Sequence, residues 1–239
     1  MQIKVISWNI WGGKKREEVI EFLQKESADI IALQEVTTRE IDGKKINDAE
    51  EIANALGYEF YYSNAFTTDR HFPSYSIGNA VLSKFPIQSS RDHFLSDLSD
   101  YEKNSTTEPR LAVECIIEVE NTTLHVFSTH LGYSQTLYET PLQKKQLGNL
   151  LPLIPSSQSI LMGDFNSIPE SEIIKQIEKK LSHSDRELNK ISWINYKDEN
   201  HSKYRIDYIF TTSDFITVSA HVADCNASDH FPLVLTLSL

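Results

Sequence analysis

The sequence predicts an α/β fold, sheets and helices stacked in layers and built from one continuous domain over residues 1–239. Three observations predict it. The chain opens strand, helix, strand: Ile3 to Asn9 is extended in pattern, Lys14 to Ser27 carries Val19, Ile20, Phe22 and Leu23 on one helical face, and Asp29 to Leu33 is a second apolar run. Strand-like runs then recur to the C-terminus with helical segments among them. No linker divides the chain, and 40% hydrophobic residues allow a sizeable core.

Each element has its own local warrant. The first strand ends in a turn with two aromatics, Ser7 to Gly13, and the second apolar run stops at Gln34-Glu35, where a buried strand should end. Asp48 to Leu56 reads as a helix stopped by Gly57. Tyr58 to Tyr62 is strand-like, and Phe66 to Ile77 reads as a long loop with Arg70, His71 and three aromatics. Asn79 to Ser83 and a strand led by Pro86 follow. Asp92 to Pro109, polar and without a period, reads as an excursion over the surface. Arg110 to Val119 and Thr123 to Thr129 pair through Glu120-Asn121. Pro141 to Leu151 is a helix with Pro at an early position, and a second helix runs from Glu170 to Leu181. Ser182 to Tyr204 is irregular; Tyr204 to Phe210, Ile216 to Ala223 and Phe231 to Leu239 are the last strands.

Composition narrows the function. A net charge of −11 argues against a broad nucleic-acid footprint, which needs a basic surface, although bound cations can invert a local field. Two cysteines, Cys115 and Cys225, make no disulfide framework and point to a reducing cytoplasm. No membrane span or signal peptide is read, so the triplets at Asn104, Asn121 and Asn226 count as chance; a monomer is expected.

The stretch that carries chemistry is Gly163-Asp164-Phe165-Asn166, which follows the apolar run Ser159 to Met162. Residues two apart on a strand share a face, so Asp164 and Asn166 point one way while Phe165 returns to the core. Alone, Asp164 could equally cap the helix that follows. Yet strand after strand ends in a ligand-capable group: Asn9, Glu35, His130, Asp164 with Asn166, and Asp229 with His230, while Asp207 lies within a strand. Each of these singly is more often a turn former, a cap or a core residue; together they imply a cleft where strand ends gather.

Ser7-Trp8-Asn9, Leu33-Gln34-Glu35-Val36, Gly78 to Ser83, Ser128-Thr129-His130-Leu131, Gly163 to Asn166, Arg205 to Ile209 and Ser228-Asp229-His230 occur in an order that resembles the endonuclease/exonuclease/phosphatase superfamily. The resemblance spans essentially the whole chain. It implies a DNase I-like four-layer α/β/β/α sandwich with two packed mixed β-sheets. It implies Mg²⁺, with Mn²⁺ as substitute, held by Glu35 with Asn9 and Asp229 nearby. Asp164 would activate the attacking water and Asn166 hold the scissile phosphate. His230, oriented by Asp207, would contact a phosphate oxygen or act as base, and His130 would serve the leaving oxygen. The expected activity is hydrolysis of a phosphodiester, in a nucleic acid or a small molecule. Alternatives are a phosphomonoesterase for small sugar or inositol phosphates, and a non-catalytic binding module that keeps the fold.

Arg110 is a candidate phosphate clamp against the reading of a surface arginine, Asn79 a supporting cleft residue against a structural turn role, and Trp193 a cleft wall against local packing. Tyr196 reads as local packing, and Trp11 lies beside the Asn9 turn. The resemblance departs at Trp11: apurinic-site endonucleases and the tyrosyl-DNA phosphodiesterase branch carry an acid there. Those two activities, and a second metal position, are therefore not expected.

Overall fold

The computed structural model describes residues 1–68, 75–100, 108–184 and 190–239. Its elements are β1 (Gln2–Asn9), α1 (Arg16–Glu26), β2 (Ile30–Ile41), β3 (Lys44–Asn47), α2 (Asp48–Leu56), β4 (Glu59–Thr68), β5 (Tyr75–Ser83), β6 (Ile87–Phe94), β7 (Leu111–Val119) and β8 (Thr122–His130). Then come α3 (Pro141–Leu150), β9 (Ser159–Asp164), α4 (Glu172–Glu178), β10 (Ser182–His183), β11 (Trp193–Ile194), β12 (Lys203–Tyr204), β13 (Asp207–Thr211), β14 (Ile216–Val222) and β15 (Leu233–Ser238).

Successive strand residues face opposite ways, and that alternation sorts the apolar residues into three cores. In β1, Ile3 and Val5 face inward while Ile6 and Trp8 face out; in β9, Ile160 and Met162 face inward while Leu161 faces out. The inward set packs sheet on sheet. The outward set of the first sheet is covered by Val19 and Leu23 of α1 and Ile52 and Ala53 of α2. That of the second is covered by Leu147 and Leu150 of α3 and Ile173, Ile174 and Ile177 of α4. The layers are therefore α/β/β/α, as expected. The first sheet runs β14-β15-β1-β2-β5-β4, with β3 on β2; the second runs β10-β13-β9-β8-β7-β6. Both are mixed, because β1–β2 and β8–β9 are parallel and the other pairs antiparallel. Cys115 lies in the inter-sheet core and Cys225 packs beside α1 and α2; both are free thiols, and burial pushes Cys115 up to about 12. Among the described residues no helix is long and apolar enough to cross a membrane.

Several boundaries differ from expectation. The second strand does not stop at Gln34-Glu35. It continues to Ile41 through a bulge in which Gln34 and Glu35 face the single Asn79 of β5, because Val36 and Thr37 are buried and β-branched and resume the ladder. The stretch Phe66 to Ile77 is strand up to Thr68 and again from Tyr75; Arg70 and His71 lie outside the described residues. The expected surface excursion from Asp92 begins inside β6, and its residues 101–107 lie outside the described residues. Within the irregular stretch after Ser182 are three two-residue strands, while 185–189 lie outside the described residues. The strand expected from Tyr204 starts at Asp207, because the Ser192 hydroxyl takes the backbone N–H of both Ile206 and Asp207. The helix ends are shorter than read: α1 begins at Arg16, and α4 spans Glu172–Glu178.

Gly163 shows why the motif needs glycine. A Cβ there would lie 2.1 Å from the backbone oxygen of Thr129 on the parallel neighbour β8. Gly163→Ala should lower stability by roughly 1–3 kcal/mol, read as a lower urea midpoint at unchanged slope. A midpoint equal to wild type would show that the two strands can part freely.

Candidate active site

The two sheets bring their polar strand ends to one edge. β1 delivers Asn9, β8 delivers His130 and β9 delivers Asp164. β13 runs antiparallel to β9, so its first residue, Asp207, stands directly opposite Asp164. Asp229 and His230 precede β15, and a single bridge pairs His230 with Trp193 of β11. Glu35 arrives differently: its φ of +51° in the β2 bulge places it at this edge from the middle of a strand. Asn166 also has left-handed backbone, φ +48°, so this turn, with the Asn166 N–H bonded to Asp164 Oδ1 at 2.9 Å, aligns the pair in place of the expected strand alternation. Phe165 turns back into the core as expected.

Asn9 ties the halves together. Its Nδ2 donates to Glu35 Oε1 and to Asp164 Oδ2, each at 3.1 Å, while its Oδ1 accepts the Trp11 N–H at 3.0 Å. It thus presents amide N–H, rather than oxygen, to the acids. Its backbone oxygen accepts from Ser228 Oγ at 2.7 Å, and that same hydroxyl oxygen accepts the His230 N–H. The Trp8 indole donates to the His230 backbone oxygen at 2.9 Å.

His230 and Asp207 form a buried pair, Nδ1 to Oδ2 at 2.9 Å. Asp207 Oδ2 also takes the Ser192 hydroxyl at 2.7 Å, and Asp207 Oδ1 has no partner. Burial alone would favour neutral His230. The Asp207 charge and hydrogen bond, with Asp164 and Asp229, outweigh it and raise His230 to about 10. The imidazolium Nε2 faces Asp164 Oδ2 at 3.7 Å. Asp164 is pushed up to about 7, by burial first and by the Asp207 charge second, against His230, the Asn166 N–H and Asn9.

His130 is the opposite case. Burial, then Arg110 and His230, hold it well below its ordinary value, so it is neutral. Arg110 Nη1 lies 3.2 Å from His130 Nδ1 and the Asn166 amide Nδ2 lies 3.0 Å from its Nε2, so a donor faces each ring nitrogen and the neutral ring accepts from only one of them. That Nε2 faces Asp164 Oδ2 at 3.4 Å, beside the Asn166 amide, which donates to the Leu131 oxygen at 3.0 Å.

A cleft opens where Glu35, Asn79, Arg110 and His130 meet Phe66 and Ile77. Arg110 is 9% exposed with its Nε unpartnered, and Asn79 Nδ2 holds the Leu111 oxygen of β7 at 2.9 Å, across the sheets. Trp193 stands on another side. Its indole donates to Asp229 Oδ2 at 3.3 Å and lies over the His230 ring at 5.9 Å and 32°. The structure thus brings all eleven sequence-predicted residues to one neighbourhood. It adds Ser192, a loop serine that no spacing marks, and gives a role to Ser228, which the sequence showed only as the first residue of Ser228-Asp229-His230.

Two groupings could hold a cation. Asp164, Asp207 and His230 offer ligand atoms within 4.8 Å of one another. Their facing atoms, however, are taken up by the Asp207–His230 hydrogen bond, which makes this a proton-holding cluster. Glu35 and Asp229 are oxygen donors of the kind a hard cation prefers. The Glu35 charge raises Asp229, and burial raises it more, against His230 and the Trp193 indole. Among the described residues no Lys, Arg or His lies within ion-pair distance of either carboxylate. Lys14 and His230 act on these acids from beyond ion-pair distance, and two carboxylates, one raising the other, fit a divalent ion with few protein ligands.

A family model described as Endonuclease/Exonuclease/phosphatase family matches residues 6–230. No curated protein matches the sequence. Among solved structures, an endonuclease/exonuclease/phosphatase from Beutenbergia cavernae superposes with a TM-score of 0.80 at 22% identity, covering 100% of this chain and 72% of that one. A mannosyl-6-phosphatase from Bacteroides thetaiotaomicron superposes at 0.72 with 17% identity, covering 99% and 100%. ANGEL2, a 2',3'-cyclic phosphatase, superposes at 0.75 with 17% identity, covering 99% and 95%. At such identities the likeness is one of fold.

Proposed function

The chain belongs to the endonuclease/exonuclease/phosphatase family, whose members hydrolyse phosphate esters, and from that premise we propose that it is a Mg²⁺-dependent phosphodiesterase. The observation that carries the reading is the convergence of Asp164, Asp207 and His230 with Glu35 and Asp229 around Asn9. Asp164, poised near neutrality, takes the proton of the attacking water. His230 is the imidazolium in this reading, not the base: its Nε2–H donates to a non-bridging phosphate oxygen as charge gathers there. His130, held neutral, and the Asn166 amide beside it position the phosphate, so His130 is not a charged acid. Arg110 clamps the phosphoester from the cleft side and Asn79 holds that wall against β7. Trp193 keeps Asp229 in place and shields His230. Glu35 and Asp229 hold the metal, with Asn9 orienting Glu35. When bound, Mg²⁺ supplies charge neutralisation at the phosphate and the departing oxygen. A second reading is a monoesterase for small sugar phosphates, supported by the fold shared with a mannosyl-6-phosphatase.

The test is a substrate panel of diesters and monoesters with Mg²⁺, Mn²⁺ or chelator. Activity on diesters that chelator abolishes and either cation restores is expected; phosphate release from monoesters alone selects the second reading. Glu35→Gln should raise the half-saturating metal concentration by on the order of 10–100-fold. An unchanged metal requirement would remove Glu35 from the metal site.

A further inference from the structure

Behind the Glu35 bulge lies a buried charge that the catalytic reading does not use. Asp48 is the first residue of α2, where an acid favours the helix N-terminus and could serve equally well in water. Its side chain instead turns inward and is fully buried. Oδ2 accepts the Thr37 N–H at 3.2 Å, the Thr37 hydroxyl at 2.5 Å and Arg39 Nη2 at 2.8 Å. Oδ1 accepts from Arg39 Nη2 at 2.9 Å and from Arg16 Nη1 at 3.3 Å. Taking a carboxylate and two guanidiniums out of water costs stability, and apolar packing alone would hold a helix on a sheet. What the cluster supplies is position.

Two segments meet at Asp48, and both lead to the proposed metal site. Thr37 stands two residues after Glu35, just past the β2 bulge, and is 3% exposed. On the other side is the turn after Asn9. Gly13 packs so closely that a Cβ there would lie 2.4 Å from Asp48 Oδ2. The Gly12 oxygen accepts from Arg39 Nη2 at 3.1 Å and lies 3.4 Å from the Thr37 hydroxyl. Between the two segments the Ile10 N–H donates to the Gln34 oxygen at 3.0 Å. Each segment also holds a non-glycine residue in left-handed backbone, Trp11 at φ +53° and Glu35 at φ +51°. Such conformations persist only where the surroundings over-determine them. One carboxylate is bonded or packed against both strained segments.

We propose that Asp48 is a positioning residue of the metal site: through Thr37 and the Gly12-Gly13 turn it holds the Glu35 bulge and the Asn9 turn against each other, so that a divalent cation meets a carboxylate already aimed. This role presupposes the reading in which Glu35 holds the metal, and deepens it.

The test is Mn²⁺ binding without substrate, read from the loss of the free ion's electron paramagnetic resonance signal. Asp48→Asn leaves two arginines around an amide and could lose affinity by unfolding. Thr37→Val is therefore the sharper variant, because it keeps Asp48, both arginines and a β-branched side chain and removes only the hydroxyl. It should fold, by circular dichroism, and bind Mn²⁺ about tenfold more weakly than wild type, as when a contact behind a metal ligand is lost. Thr37→Ser, which returns the hydroxyl, should bind as wild type does, and Asp48→Asn at least as weakly as Thr37→Val. Thr37→Val with a lower urea midpoint and wild-type Mn²⁺ affinity overturns the proposal. So does Thr37→Ser as weak as Thr37→Val, which makes the effect one of packing. Glu35→Gln, run beside them, separates the two claims. Weaker binding there with wild-type affinity in Thr37→Val removes the positioning role and leaves the metal site; wild-type affinity in Glu35→Gln removes both.

Discussion

Asp164→Asn is expected to lower kcat for phosphoester hydrolysis by roughly 10³–10⁴-fold, with a much smaller change in KM. The side chain keeps its shape and loses only its ability to take a proton. Its neighbours explain why the carboxylate is suited to that task. Burial and the facing Asp207 lift it to about 7, near the pH at which it must work, whereas an exposed aspartate would be too weak a base. The same shift has a cost in stability. A carboxyl whose folded pKa lies above its unfolded value of 3.8 binds its proton more tightly in the folded state. The penalty is absent below 3.8 and grows as pH rises to about 7. Metal-free Asp164→Asn should therefore be at least as stable as wild type at pH 8, by thermal melting, even though its activity collapses. Residual activity within tenfold of wild type would place the base elsewhere.

Asp164 and His130 were legible because each closes an apolar run with a polar group, which is how a buried strand meets a cleft. The layer order was legible for the same reason: alternation along β1 and β9 already divides residues between an inner and an outer face. Glu35 was legible as a residue and not as a geometry. Nothing in Gln34-Glu35-Val36 marks a left-handed, non-glycine position. The bulge exists because β5 pairs on both sides of it, which is a long-range fact. The ends of β4 and β5 were hidden because their residues are half-exposed and carry no clean alternation. The contacts of Ser192 and Ser228 were out of reach. Each works through partners far away in sequence, Asp207 for one and Asn9 for the other. Charge states were also invisible. His130 and His230 look alike in the sequence. Burial favours the neutral form of both; an arginine beside the first adds to that, and an aspartate beside the second overrides it and makes an imidazolium.

Asp207→Asn separates those two histidines experimentally. Without the Asp207 charge, burial dominates at His230 and its pKa falls, so the ring is neutral at pH 7. The donor that meets phosphate charge in the transition state weakens, and kcat should fall by roughly 10²–10⁴-fold, as when a carboxylate that orients a catalytic imidazole is replaced. Stability supplies a second readout that does not depend on substrate. A histidine raised from 6.5 to about 10 on folding contributes stability that is fully present below 6.5 and is lost as pH rises through about 10. The Asp164 penalty is already complete near 7, so between pH 7 and 10 the two effects do not overlap. Metal-free wild type should lose stability across that interval, measured as a falling urea midpoint, relative to Asp207→Asn under the same conditions. Lysine and tyrosine titrations are common to both proteins and cancel in the difference. If the two midpoints fall in parallel from pH 7 to 10, His230 is not charged in the folded protein, and its role must be that of a neutral base accepting a proton at Nε2.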